Sequence, residues 1–343
     1  MLLQVLGTAA GGGVPQWNCA CPGCSGARAH PGRRRRHASL AVRADDDHWF
    51  LINATPDLAD QIESTPALHP GPATRRTPVA GLVLTDAELD HTLGIARLRE
   101  ADRIEILATG PVRSALRDRA RLDDILTPYA ALVWREVGPW PVPLCDGSDV
   151  EISAVPVSGK RPRYAAGESD AADANDASDG CDVSGGYGTS GGYGASGRYG
   201  ASDRHDATGG SGTRPHGEPW VIAVRLHDRR TGGTAVYAPA LASWPDAFQE
   251  ALADADCVLL DGTFWDDDEP RRSGFSRRTA TGMGHLPIDG PDGTATRLAP
   301  LAARCLYTHL NNTNPLVDPD APQHKQLAER GLAVAAEGME IAL

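Results

Sequence analysis

The stretch "LTDAELDHTLG" (84–94) decides how this chain is read. It continues the apolar run "GLVLT" and leads into a helix-like segment, so Asp86, Glu88, Asp90 and His91 gather at the C-terminal end of a strand. Ligands collect at such ends in layered α/β folds. Alternation in an extended turn puts Asp86, Glu88 and Asp90 on one side, with His91 turned onto the helix start. Four titratable groups this close repel one another unless a cation or a proton sits among them. A plainer reading stands beside the metal-site one: acidic residues favour a helix N-terminus, and Asp86 is a good N-cap.

Two later stretches favour the metal. "LLDGTFW" (259–265) ends a very apolar strand in Asp261, and "CLYTHLNNTNP" (305–315) ends another at His309. Together, Asp90, His91, Asp261 and His309 offer mixed nitrogen and oxygen donors, a set suited to Fe(II), Mn(II) or Zn(II). A second cluster lies near the start, where "PQWNCACPGC" (15–24) follows the Gly-rich "GTAAGGGV" (7–14). Cys19, Cys21 and Cys24 place three soft thiolates in reach of one ion, as in a structural zinc site. A redox thiol pair is the alternative. The other cysteines, Cys145, Cys181, Cys257 and Cys305, are scattered, which suits a reducing compartment rather than a disulfide framework.

The 343 residues are 41% hydrophobic, enough for one large domain or two ordinary ones. A net charge of -12 and a pI near 5.3 argue against nucleic acid as a partner. The run "RRRR" (33–36) reads as solvated charge, or as an anion clamp. The start "MLLQVLGTAAGGG" has no basic leader and breaks at Gly7, so no secretory signal is expected and the location expected is cytoplasmic. No apolar run approaches the ~20 residues of a membrane span. Residues 165–218, with "SGGYGTSGGYGASGRYGAS" (184–202), lack the aliphatic side chains that offset ordering entropy. They read as a disordered insertion within one domain spanning 1–343.

Elsewhere β-rich runs recur: "LLQVLG" (2–7), "ASLAVRA" (38–44), "HWFLINA" (48–54), "VAGLVLT" (79–85), "RIEILAT" (103–109), "DVEISAVPV" (149–157), "WVIAVRL" (220–226), "GTAVYAP" (233–239) and "CVLLDGT" (257–263). Amphipathic helices are predicted at 55–64, 89–100, 110–126 and 243–254. Several strands follow one another with no helix between them, so the pattern predicts an α/β sandwich rather than a doubly wound sheet.

These motifs resemble the metallo-β-lactamase superfamily, whose signature is H-x-H-x-D-H after a strand, followed by an Asp and a His that end two further strands. In register, Asp86 and Glu88 replace the leading histidines, Asp90 and His91 match the closing D-H, Asp261 the bridging Asp and His309 the last His. The His expected near "AVPVSGKRP" (154–162) is missing. The resemblance implies an αββα sandwich and a mononuclear rather than dinuclear site. Within the superfamily, "GTAAGGGVPQWNCACPGC", "LTDAELDHTLG", "DGTFWDDDE" (261–269), "MGHLPI" (283–288) and "HLNNTNP" (309–315) look like the pyrroloquinoline quinone (PQQ) biosynthesis protein B family. The likeness runs from the first strand to "GMEIAL" (338–343), the 165–218 insertion apart.

That family implies a cytoplasmic role in making the cofactor from a Glu- and Tyr-containing peptide. Two roles are open: iron- and O2-dependent hydroxylation of the tyrosine ring of a Glu–Tyr precursor, or carriage of PQQ or its precursor toward the periplasm. A metal-dependent hydrolase is a weaker third, since the leading histidines are missing. On the hydroxylase reading, Asp90, His91, Asp261 and His309 hold Fe(II), with Zn(II) or Mn(II) able to replace it. Asp261 is the least secure of the four. Asp86 and Glu88 serve in outer-sphere or proton-transfer work. His285 acts as acid/base or positions substrate, unless it is a surface or cap residue. Asn311, Asn312 and Asn314 bind substrate or shape the O2 pocket, unless they only build a turn. Lys160 and Arg163 pair with substrate carboxylates or are merely solvated. The cysteine site lacks a clear fourth ligand. Relatives place a His where this chain has Asn312, and His30, His37 and His324 are the other options. A homo-oligomer is compatible with all of this.

Overall fold

A computed structural model describes residues 1–72, 77–166 and 219–343. The expected insertion therefore lies outside the described residues, apart from its first two. The strands are β1 (Leu2–Gly7), β2 (Ser39–Arg43), β3 (Trp49–Ile52), β4 (Val79–Val83), β5 (Arg103–Ala108), β6 (Ala131–Glu136), β7 (Val142–Pro143), β8 (Val150–Ser158), β9 (Val221–Asp228), β10 (Thr234–Ala238), β11 (Cys257–Asp261), β12 (Arg304–Thr308), β13 (Ala333–Val334) and β14 (Glu340–Ala342). They form two seven-stranded sheets, β14-β1-β2-β3-β4-β5-β6 and β13-β12-β11-β10-β9-β8-β7. Each sheet is antiparallel over one part, β14 to β3 in the first and β7 to β10 in the second. Each is parallel over the other.

Strand alternation explains the layering. In β3, Phe50 and Ile52 join the core between the sheets, while Trp49 and Leu51 join the apolar layer on the other face. In β10 and β11 the same split sends Ala235, Tyr237, Cys257 and Leu259 to one layer, and Val236, Ala238, Val258 and Leu260 to the other. Both faces of these strands are buried, which is why they read as continuous apolar runs. Helical segments such as Leu58–Glu63 and Asp246–Leu252 contribute Leu58, Phe248 and Leu252 to the outer layer. The result is the expected αββα sandwich. No helix of the described residues is long and apolar enough to cross a membrane.

Two helical expectations are modified. The segment 110–126 breaks into Gly110–Ser114, one wide turn and Leu122–Leu126, because Arg121 takes a left-handed φ of 55°. The segment 89–100 holds one α-turn, Leu89–Thr92, before tightening to a 3-10 helix, Leu93–Leu98. It docks tightly because Gly94 carries no side chain: a Cβ there would strike Thr55 O.

The Tyr237 hydroxyl lies buried without a hydrogen-bond partner. Removing an unpaired buried hydroxyl relieves a desolvation cost, so Tyr237→Phe is expected to keep or raise stability, by up to about 1 kcal/mol. Phe50→Ala, which empties the core between the sheets, is expected to cost about 3–5 kcal/mol. Urea unfolding midpoints check both, and a clear loss in Tyr237→Phe would show that the hydroxyl is engaged.

Candidate metal centre and active site

The donors sit where the two sheets meet. The chain leaves β4 through Thr85 into Asp86, and the Leu89–Thr92 turn then raises Asp90 and His91. From the other sheet, Asp261 ends β11 beside Thr308 of β12, and His309 follows at once. His309 has φ 58°, a left-handed conformation that costs a residue with a Cβ roughly 1–2 kcal/mol. It turns the ring toward His91, with centroids 5.3 Å apart. Asp90 Oδ2 lies 3.8 Å from His91 Nε2 and 3.4 Å from His309 Nε2. The glycine loop closes in behind: a Cβ on Gly11 would stand 3.1 Å from Asp90 Oδ2.

Hydrogen-bond logic assigns the imidazole protons. His91 Nδ1 lies 2.7 Å from Asp86 Oδ2, and a carboxylate only accepts, so Nδ1 carries the proton. Thr263 Oγ1 donates its single proton to Asp261 Oδ1 (2.6 Å), so its oxygen accepts from His309 Nδ1–H (2.8 Å). His285 Nδ1 donates to Asp261 Oδ2 at 2.7 Å, and its ring stacks on His309 with centroids 5.7 Å apart. His91 Nε2 and His309 Nε2 are left buried with no hydrogen-bond partner. Buried polar atoms are rarely orphaned. Two orphaned imidazole nitrogens beside one carboxylate fit a metal ion, and one oxygen or nitrogen from each of Asp90, His91 and His309 lies within 4.8 Å of the others.

The electrostatics agree. Burial opposes ionisation of Asp90, but His91 and His309 outweigh it and hold the carboxyl well below its usual range. Asp86 and Asp261 are likewise lowered against burial, by His91 and by His285 with His309. Burial also opposes charge on His91, yet Asp86 and Asp90 raise it to about 9. Burial keeps His309 below the ordinary value. Glu88 is raised by burial and by Asp86, with Lys160 acting the other way.

The three thiols surround one side chain. Asn312 Nδ2 lies 3.1, 3.5 and 3.2 Å from the sulfurs of Cys19, Cys21 and Cys24. The Cys21 thiol also meets Asn312 O at 3.3 Å. Two of the other options for a fourth ligand are committed elsewhere. His37 bonds Asp57 and Gly11 O, and His324 bonds Asp318 O. His30 is exposed.

The remaining expected residues divide. Asp86 also accepts from Thr85 Oγ1 and Glu88 N, so it braces His91. Asp261 accepts from Leu241 N, Thr263 N, Thr263 Oγ1 and His285 Nδ1. It also forms a second possible ligand group with His285 and His309. Lys160 Nζ donates to Met283 O beside His285, and Arg163 is exposed. Expected at the substrate, Asn311 instead donates to Thr313, while Asn314 donates to Gly262 O and caps Leu316 N. These side chains are spent on building the loop.

Three residues near this centre were not assigned to it from the sequence, His37 having been considered only for the cysteine site. Thr263 orients His309; a hydroxyl two residues past Asp261 was the available signal. Tyr164 donates to Ala87 O, bracing the acidic loop. His37 touches two acceptors, Asp57 Oδ2 and Gly11 O, so its ring carries both protons. Its pKa is accordingly raised, against burial, by Asp57 and Asp90.

Thr263→Val removes the acceptor that fixes His309. Outer-sphere partners are typically worth about 10–100-fold in metal affinity, and a loss of that size in Mn(II) affinity is expected, with Thr263→Ser retaining most of it. Metal-free protein has a second signature. The folded His91 value of about 9 exceeds the ordinary 6.5, so its contribution to stability is full below 6.5 and lost as pH rises through about 9. Urea midpoints of metal-free protein should fall over that window, and a flat profile would contradict the assignment.

Comparison with known proteins shows the family. A family model described as a beta-lactamase superfamily domain matches residues 48–178 and 203–310. Coenzyme PQQ synthesis protein B of Azoarcus sp. (strain BH72) is 35% identical over 354 aligned residues, covering 100% of both chains. Its counterpart in Ruegeria pomeroyi is 38% identical over 344, again covering 100% of both. A crystal structure of Zn(2+)-bound PqqB from Methylobacterium extorquens has a TM-score of 0.79 at 27% identity, covering 100% of both chains. A diphosphatase of the PhnP family, with a TM-score of 0.62 at 19% identity and coverage of 100% and 97%, shares the fold. The chain belongs to the coenzyme PQQ synthesis protein B family, within the beta-lactamase superfamily.

Proposed function

We propose that this protein acts in PQQ synthesis as a metal-dependent oxygenase that hydroxylates the tyrosine ring of a Glu–Tyr-derived precursor. One observation carries the reading: the orphaned Nε2 atoms of His91 and His309 beside Asp90. Two imidazoles and one carboxylate, with positions left open, are the donor set of non-haem Fe(II) oxygenases. Asp90, His91 and His309 would hold the ion. Asp261, whose oxygens already accept four hydrogen bonds, orients His285 and Thr263. A bound Fe(II) supplies the means to activate O2. The Zn(2+)-bound Methylobacterium relative supports metal binding here. Nitrogen and oxygen sites hold Zn(II) more tightly than Fe(II), and Zn(II) has no redox chemistry, so a preparation filled with zinc is expected to be silent toward O2.

This chain's own residues do the rest. Asp86 and Thr263 hold the ligand imidazoles in the tautomer that presents Nε2. His285, with Nδ1 held by Asp261, offers Nε2 as a base for a ring or phenol proton. Glu88, its acidity weakened by burial, is suited to take or return a proton. Lys160 and Arg163 would meet substrate carboxylates. The cysteines would hold a structural Zn(II), with Asn312 as fourth ligand: a half-turn of its amide brings Oδ1 to the corner now held by Nδ2. The carrier reading has less support, because Asp86, Glu88, Asp90 and Asp261 give the pocket a charge that repels a tricarboxylate. A cytoplasmic site of action goes with the biosynthetic role.

The test is direct. Metal-free protein is loaded anaerobically with Fe(II), mixed with a Glu–Tyr cross-linked analogue and a two-electron donor such as ascorbate, and exposed to O2, so that one oxygen atom enters the ring and the other leaves as water. A product heavier by one oxygen atom is expected, and its absence from correctly loaded protein would sink the hydroxylase reading. His91→Ala and His309→Ala should each lose stoichiometric iron; retention in either overturns the ligand set.

A further inference from the structure

The two candidate metal sites share one short stretch of chain. His309 presents its ring to the histidine site. Three residues later, Asn312 sits among the thiols at 3.1–3.5 Å, and only 6% of it is exposed. A tetrahedral ion with bonds of about 2.3 Å to sulfur and 2.0 Å to oxygen sets sulfur–oxygen edges near 3.5 Å. Asn312 therefore already stands close to the fourth corner.

The left-handed turn at His309 has to be held from outside, because such conformations persist only where the surroundings over-determine them. The structure shows the clamps. Leu310 N donates to Thr8 O, Asn311 N to Thr263 O, Thr313 Oγ1 to Glu269 Oε1 at 2.7 Å, and Asn314 Nδ2 to Gly262 O at 2.8 Å. All of these are contacts between protein groups alone. The seat of Asn312 among Cys19, Cys21 and Cys24 is the clamp whose strength changes when an ion enters.

We propose that Asn312 is a positioning residue for His309: filling the cysteine site anchors residues 309–314 and tightens the grip of the histidine site on its own metal. Linkage is reciprocal, so metal at the histidine site tightens the cysteine site by the same factor. The inference rests on the ligand assignments proposed above and is independent of the reaction catalysed.

The test uses metal affinities and no turnover. Mn(II) prefers oxygen and imidazole donors, whereas a soft ion such as Cd(II) prefers thiolates. Reduced, metal-free protein is titrated with Mn(II), followed by electron paramagnetic resonance, with and without one equivalent of Cd(II). Thiolate-to-metal absorption verifies that the Cd(II) sits on the cysteines. Mn(II) is expected to bind about tenfold more tightly when Cd(II) is present, within the usual range for coupled sites. Asn312→Ala should abolish the difference, and Asn312→Asp, which keeps an oxygen at that reach, should restore it. Equal Mn(II) affinity with and without Cd(II) overturns the proposal, as does an undiminished Cd(II) effect in Asn312→Ala. The wild-type arm stands if that variant fails to fold. Metal-free wild type that circular dichroism shows to be unfolded would also overturn it, since the coupling would then be global folding. Failure of hydroxylation would leave each of these readings untouched.

Discussion

Everything at this centre depends on two buried imidazole nitrogens with no aligned hydrogen-bond partner and only the Asp90 carboxylate, at 3.4 and 3.8 Å, beside them. His91 Nε2 and His309 Nε2 face the same small volume as Asp90, away from water. A fold does not keep such atoms idle without cost. A cation bound there would answer all three groups at once, replacing the proton that Asp86 and Asp90 favour on His91. The carboxylates that look repulsive in the sequence thus have separate tasks: Asp90 faces the two bare imidazole nitrogens, while Asp86 lies behind His91 on its Nδ1 side.

The supporting shell shows how a superfamily site survives the loss of its leading histidines. Asp86 stands where a ligand is usual, yet it hydrogen-bonds Thr85, Glu88 N and His91. It has become a brace for the D-H pair. On the other sheet, Thr263 joins Asp261, His285 and His309 through one hydroxyl. Asp86 and Thr263 thus serve to orient the imidazoles of His91 and His309.

Much of this was legible in the chain. The apolar runs that became β3, β10 and β11 are buried on both faces and announced themselves. Asp261 and His309 stood at strand ends, where the hydrophobic pattern stops abruptly, and Asp90 and His91 in the turn that follows another strand. What escaped notice depended on distances between remote segments. Thr263 is an ordinary turn residue until His309 is folded against it. Nothing in the sequence places the Asn312 amide among three sulfurs. The break at Arg121 could not be read from an amphipathic pattern, because only a local left-handed φ marks it. The edge strand β6, with its mixed exposure, carried no clean alternation and went unseen.

Asp90 and His91 rise from one sheet and His309 from the other, so the centre straddles the seam between the layers. An ion there would work as a rivet through two plates. Sliding one sheet past the other by a single residue step would tear it out, whereas motion within either sheet would leave it seated. How long the ion is retained then becomes a gauge of shear between the layers, and slow breathing of the sandwich would set the rate at which metals are exchanged.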